Sequence, residues 1–191
     1  MFVRLIRPAV SLLALMTVLL GIVYPLVITG AAKVAFPRQA GGSLIFQNGK
    51  LIGSTLIGQS FSDPKYFWGR PSATSPQPYN GLASSGSNLG PLNPALLDAV
   101  KANAKALRDA DPDNRLPIPV DLVSASGSGL DPEISPAAAH YQAARVARAR
   151  NLPLEQVESV IRAHEQGRLL GFIGEPRINV LEANLALDHL R

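Results

Sequence analysis

One N-terminal membrane-spanning helix followed by a single α+β domain, with a small sheet and about four helices, is the architecture predicted by this sequence of 191 residues. Three observations carry that prediction. From Ala9 to Ala32 the chain holds no charged residue, and as a helix this stretch extends ~36 Å against a hydrocarbon core of ~30 Å. Asn48-Gly49, set between two short apolar runs, marks a tight hairpin. Beyond residue 93, prolines and capping residues punctuate the chain at the spacing of helices.

The predicted division is a short cytoplasmic N-terminus (1–8), the transmembrane helix (9–32) and an extracytoplasmic, periplasmic domain (33–191). Arg4 and Arg7 form a basic arm like that of a secretory signal, but a cleaved apolar region runs ~7–15 residues and this one continues through Ile22, Val23, Leu26 and Ile28. A retained anchor fits better. Arg4, Arg7 and the terminal amine are opposed by Lys33 and Arg38, and short basic N-terminal arms stay in the cytoplasm. At ~100° per residue, Ser11, Ala14, Thr17, Gly21, Pro25 and Thr29 fall within a ~120° arc. Lipid supplies no hydrophobic drive between helices, so such a small-residue stripe is the surface on which another helix packs. Pro25 withholds a donor from the Gly21 carbonyl, which predicts a kink there.

In the soluble part, Ser43 to Gln47 and Lys50 to Ile52 flank the type I′ turn that Asn-Gly favours. Ser60 to Pro94 is rich in Pro, Gly, Ser and Asn, yet Phe61, Tyr66, Phe67, Trp68 and Tyr79 are interleaved, which predicts a long ordered loop. Asn93-Pro94 opens a helix to about Asp109, and a short strand is expected at Val120 to Val123. Ser135-Pro136 opens a second helix to about Arg150, Pro153 a third ending at Gly167, and Asn179 with Glu182, a variant capping box, a fourth. The turn Gly86-Ser87-Asn88-Leu89-Gly90-Pro91 is echoed by Gly127-Ser128-Gly129-Leu130-Asp131-Pro132, each leading into a Pro-started helix. Asn93 and Ser135 then serve as N-caps.

The chemistry is mostly excluded. The net charge is +4, with 18 Lys+Arg against 14 Asp+Glu, all acids lying from Asp63 onward and no basic run able to track a nucleic acid. With no Cys there is no disulfide, thiol nucleophile or thiolate metal site. Gly49-Lys50 lacks the rest of a phosphate loop, and His164-Glu165 has Arg168 where a zinc peptidase needs its second His. His140, His164 and His189 are isolated helix-face residues, so no metal ligand set is predicted. Arg145, Arg148 and Arg150 close a helix, where its dipole favours cations. Ser62-Asp63-Pro64-Lys65 matches S-x-x-K, the pattern of a lysine-activated serine, without S-D-N or K-T-G. A membrane-anchored Ser/Lys hydrolase using Ser62 and Lys65 is therefore the alternative to a non-catalytic accessory subunit.

An ordered series of motifs adds to this reading. Arg7-Pro8-Ala9, Val23-Tyr24-Pro25-Leu26, Leu56-Ile57-Gly58-Gln59 and Tyr66-Phe67-Trp68-Gly69-Arg70-Pro71-Ser72-Ala73 come first. Gly86-Ser87-Asn88-Leu89, Ala125 to Asp131, Ser135-Pro136-Ala137-Ala138 and Asn184-Leu185-Ala186-Leu187-Asp188 follow. Together, from about residue 7 to 188, the chain resembles the KdpC family, the C subunits of bacterial potassium-transporting P-type ATPases. Trp68 stands where that family often has His, and Ser85 where a Gly usually precedes Gly86-Ser87.

The resemblance implies an inner-membrane, single-pass, non-catalytic subunit whose partners are a channel-like potassium-binding subunit and a P-type ATPase subunit. It implies a role in assembly, and that of a catalytic chaperone raising the ATP affinity of the ATPase subunit. ATP and K+ then belong to the complex, with no cofactor held tightly by this chain and no cofactor-binding residue assigned. Arg70, Ser72, Asn88 and Asn184, in the densest motif blocks, are the candidates to face partners.

Overall fold

A computed structural model of the chain describes residues 2–190, so the terminal amine weighed in the orientation argument lies outside the described residues. The chain divides into two compact units, Met1–Ile52 and Gly53–Arg191.

The first unit is dominated by one long helix, α1 (Phe2–Val18), a π turn (Leu19–Val23) and α2 (Tyr24–Ala35). From Arg4 to Ala35 it is 32 residues long with a mean hydropathy of 2.4 in its most apolar window, none of it buried. It is long and apolar enough to cross a membrane. Where a kink is expected at Pro25, the helix widens just before it. The Tyr24 N–H donates to the Leu19 carbonyl, five residues back, which carries the backbone past a proline that has no N–H to give. The wide turn counts as about one extra residue, so Pro25 and Thr29 lag by ~100°. The six stripe positions then span ~140° rather than ~120° and still share one side. A short α3 (Pro37–Ala40), not foreseen, precedes β1 (Leu44–Gln47) and β2 (Lys50–Ser54). Asn48 and Gly49 have φ of 51° and 75°, the paired positive values of the predicted type I′ turn.

The second unit contains α4 (Pro94–Ala110), β3 (Glu133–Ile134), α5 (Pro136–Arg150), α6 (Leu154–His164), β4 (Glu165–Gln166), β5 (Arg177–Asn179) and α7 (Val180–His189). Three helices start on the predicted caps: Asn93 accepts from the Ala95 N–H (3.0 Å), Ser135 from Ala138 (3.1 Å) and Asn179 from Glu182 (3.1 Å). Asn151, at φ 54°, closes α5 in the left-handed conformation that asparagine tolerates. Phe67, Ile134, Val146, Val157, Ile161, Ile178 and Leu187 lie at 2 % exposure or less in the core between α5, α6, α7 and the sheet.

Two expected elements come out differently. Val120–Leu122 is a turn of 3₁₀ helix and not a strand. Asp121 within it accepts the Ser135 N–H at 2.8 Å, so the segment serves as a clasp on the start of α5. The third helix ends at His164, three residues before Gly167, because Glu165 and Gln166 pair with Ile178 and Arg177 of β5. This completes an antiparallel sheet in the order β3-β5-β4.

The two echoed Gly/Ser turns lie against each other. The Ser85 N–H donates to the Ser128 carbonyl at 2.9 Å, and a Cβ on Gly129 would stand 2.6 Å from both Ser85 O and Thr74 Cγ2. Gly129 also has φ 66°. Gly129→Ala should therefore destabilise the full chain by at least about 1–3 kcal/mol in thermal unfolding. Gly127→Ala, which meets open space, should change little.

Candidate functional site

The loop from Ser60 to Asn93 contains no helix or strand, so its buried backbone must find partners elsewhere. Asn184 on α7 and Gln142 on α5 supply them. Asn184 accepts from the Phe67 N–H at 2.8 Å and donates to the Phe67 carbonyl at 2.9 Å. Gln142 does the same for Trp68, at 2.8 and 3.1 Å. Two side-chain amides thus stand in for a neighbouring strand on successive residues. Both are buried, at 2 % and 1 % exposure.

Arg145, one turn beyond Gln142, donates to Gln142 Oε1 (2.7 Å), Pro64 O (2.5 Å) and Tyr66 O (3.1 Å), and its guanidinium lies 4.5 Å from the Trp68 ring centre. Burial lowers its pKa to about 10, with Asp111 and Asp63 opposing the shift, so it remains cationic at neutral pH. Arg150 donates to Lys65 O (2.7 Å), Leu187 O (3.0 Å) and Asp188 (2.7 Å), and Arg148 pairs with buried Asp111. The three arginines are thus spent inside the chain, two of them on loop carbonyls.

A second latch joins the loop to the Gly/Ser turn. Arg70 pairs with Asp131 at 3.1 Å and donates to Ala125 O at 3.4 Å. Ser72 donates to Gly129 O at 2.6 Å and accepts from the Tyr79 N–H at 2.9 Å. Tyr79 returns to donate its hydroxyl to Arg70 O at 2.5 Å, and burial, reinforced by Asp131, pushes that phenol up to about 12. Of the predicted partner-facing residues, Arg70 and Ser72 are half-buried in this latch. Asn88 is exposed at φ 53°, and Asn184 lies in the core.

Gln142 was not singled out by sequence, and Tyr79 and Asp131 were read only as parts of the ordered loop and of the Gly/Ser turn, not as a latch. The available signal was the i, i+3 spacing of Gln142 and Arg145 on an otherwise alanine-rich helix, which puts both on one face.

Arg70, Asp121, Asp131, Glu133 and Arg177 line an open groove of about 770 Å3. Its charged side chains, Glu175 among them, are engaged within the chain: Arg70 pairs with Asp131, Arg177 with Glu133 at 2.9 Å and Glu175 with Arg168 at 2.7 Å, while the Asp121 carboxylate accepts the Ser135 N–H. Among the described residues no three His, Asp or Glu side chains gather as a metal site. Lys65 turns its ammonium to Asp63 Oδ2 (3.6 Å) and the Tyr66 ring (5.2 Å), and Ser62 is exposed. The Ser62/Lys65 pair is therefore not assembled as a nucleophile with its base. This arrangement braces the loop against α5, α7 and the Gly/Ser turn.

Asn184→Ala strands two buried backbone groups and should cost about 2–5 kcal/mol in unfolding of the full chain. Tyr79 is protonated in the folded chain up to about pH 12 and in the unfolded chain up to about 10. The folded state then binds more protons across that window, so this group's stabilisation is complete below pH 10 and is lost as pH rises towards 12. Denaturation followed against pH should show that fall, and Tyr79→Phe should lessen it, leaving the smaller falls of Tyr66 and Tyr141, whose phenols are also raised.

Comparison with known proteins covers nearly the whole chain. The family model described as K+-transporting ATPase, c chain (KdpC), matches residues 6–189. The potassium-transporting ATPase KdpC subunit of Variovorax paradoxus is 66 % identical over 185 residues, covering 97 % of this chain and 96 % of that one. Those of Dechloromonas aromatica (64 %, 96 % of each chain) and Methylococcus capsulatus (62 %, 97 % of each chain) are similar. With most of its long apolar helix, its Asn184-to-Phe67 clamp and its paired Gly/Ser turns inside the matched span, the chain belongs to the KdpC family.

Proposed function

We propose that the chain is the non-catalytic accessory subunit of an ATP-driven potassium uptake complex of the bacterial inner membrane. It joins the channel-like and P-type ATPase subunits through its membrane helix and stabilises their association. The N-terminus lies in the cytoplasm and the α+β domain outside it. The reading is carried by the small-residue stripe Ser11, Ala14, Thr17, Gly21, Pro25 and Thr29 on a helix with no buried residue in its apolar window. The side chains of the groove, engaged with one another and with backbone, agree with a bracing role.

A domain outside the cytoplasm cannot touch cytoplasmic ATP. A chaperone effect on ATP affinity is then a coupling free energy transmitted through the other subunits. Couplings of ~1–3 kcal/mol change affinity about 5–150-fold, which is sufficient.

The test uses cells expressing the complex with a tag on the ATPase subunit. Ala14→Leu with Gly21→Leu should lower recovery of this chain with the tagged subunit about tenfold or more, while Leu12→Ala leaves it unchanged. In the same cells a single cysteine at Leu82, 100 % exposed, should react with a membrane-impermeant maleimide. Unchanged recovery of the stripe variant, or labelling only after the membrane is opened, would overturn the reading.

A further inference from the structure

The β4–β5 hairpin ends in an apolar tip whose side chains are exposed. Leu169, Leu170, Phe172 and Ile173 are 64, 75, 72 and 47 % exposed. The tip is nonetheless closed: Leu169 and Ile173 exchange both backbone hydrogen bonds at 2.9 Å. At its apex Leu170 and Gly171 have φ of 54° and 82°. Asparagine or glycine suits the left-handed conformation, whereas a leucine there is strained and, at 75 % exposure, has little packing to offset that strain.

The structure assigns this tip to recognition, and we propose that it is a docking knob for an apolar pocket on a partner subunit of the same transport complex. The inference rests on the subunit reading above. Three observations select that occupant. The four side chains present on the order of 500 Å2, the size of a functional surface patch, while a stable interface needs about 800 Å2 from each side. The knob is therefore too small to hold two copies of this chain together and suits a partner already held by another contact. The membrane helix is such a contact.

The charge at its base also argues against a lipid surface. Arg168 is paired with Glu175 at 2.7 Å and Arg177 with Glu133 at 2.9 Å, so the hairpin carries no surplus of basic residues for anionic headgroups. The pattern of an apolar centre with charged, paired flanks is that of a protein interface.

Two measurements on the full chain test the knob. Leu170→Asn relieves the left-handed strain, so the chain alone should unfold at or above the wild-type temperature. Leu170→Asn with Phe172→Asp should nevertheless lower retention in the complex, captured through the tagged ATPase subunit, about tenfold, with Leu82→Asp as an unaffected control. A bimane dye on Ile173→Cys, the only cysteine in the chain, should shift to the blue on assembly and stay polar when the chain stands alone in phosphatidylcholine or phosphatidylglycerol vesicles.

Retention equal to wild type, or a polar dye in the assembled complex, would overturn the proposal. A blue shift in vesicles without partners would overturn it in favour of a lipid surface. Loss of the wild-type chain from the captured complex would instead bring down the subunit reading, and this inference with it.

Discussion

The structure of the second unit depends on the pairing of two side-chain amides with the backbone of Phe67 and Trp68. A segment without helix or strand cannot be buried unless its N–H and C=O groups find partners, at a cost of about 1–3 kcal/mol for each left unpaired. Asn184 and Gln142 between them satisfy four such groups. Phe67 can then lie fully buried in the core, and the long loop becomes an ordered part of the domain.

The rest of the domain is arranged around that clamp. Alanines at 138, 139, 143 and 147 keep α5 slim, so that α6 and the loop both approach it closely while Gln142 and Arg145 reach outward. Arg145 is tolerated in the interior because three carbonyl-type acceptors and an indole face replace its hydration. Arg70, Ser72 and Tyr79 then tie the far end of the loop to the Gly/Ser turn, where glycines at 86 and 129 allow backbone to meet backbone. Most polar groups in this assembly are spent on holding it together.

Much was legible in the sequence because its causes are local. A capping side chain needs only the backbone two or three residues ahead, so Asn93, Ser135 and Asn179 could be read directly. Asn48-Gly49 needs only its own two dihedrals. Val120 to Val123 misled because β-branched residues favour a strand in the absence of context. What decides the segment is Asp121 reaching Ser135, a contact between separated segments. The end of α6 failed for the same reason: Glu165 and Gln166 are good helix formers, and only the distant β5 edge draws them into a ladder.

By itself the sequence determined the apolar helix and its small-residue stripe, the capped helices, the hairpin turn and the family. Each follows from hydropathy, short-range hydrogen bonding or an ordered set of motifs. Only the tertiary structure decided that Asn184 lies in the core and not on a partner face, that Arg145 and Arg150 hold the loop, that the echoed turns touch, and that the Leu169–Ile173 tip is left bare. The physical reason is that burial and hydrogen-bond partnership between residues as far apart as Phe67 and Asn184, or Ser85 and Ser128, depend on how the whole chain closes, and no spacing in the sequence encodes that closure.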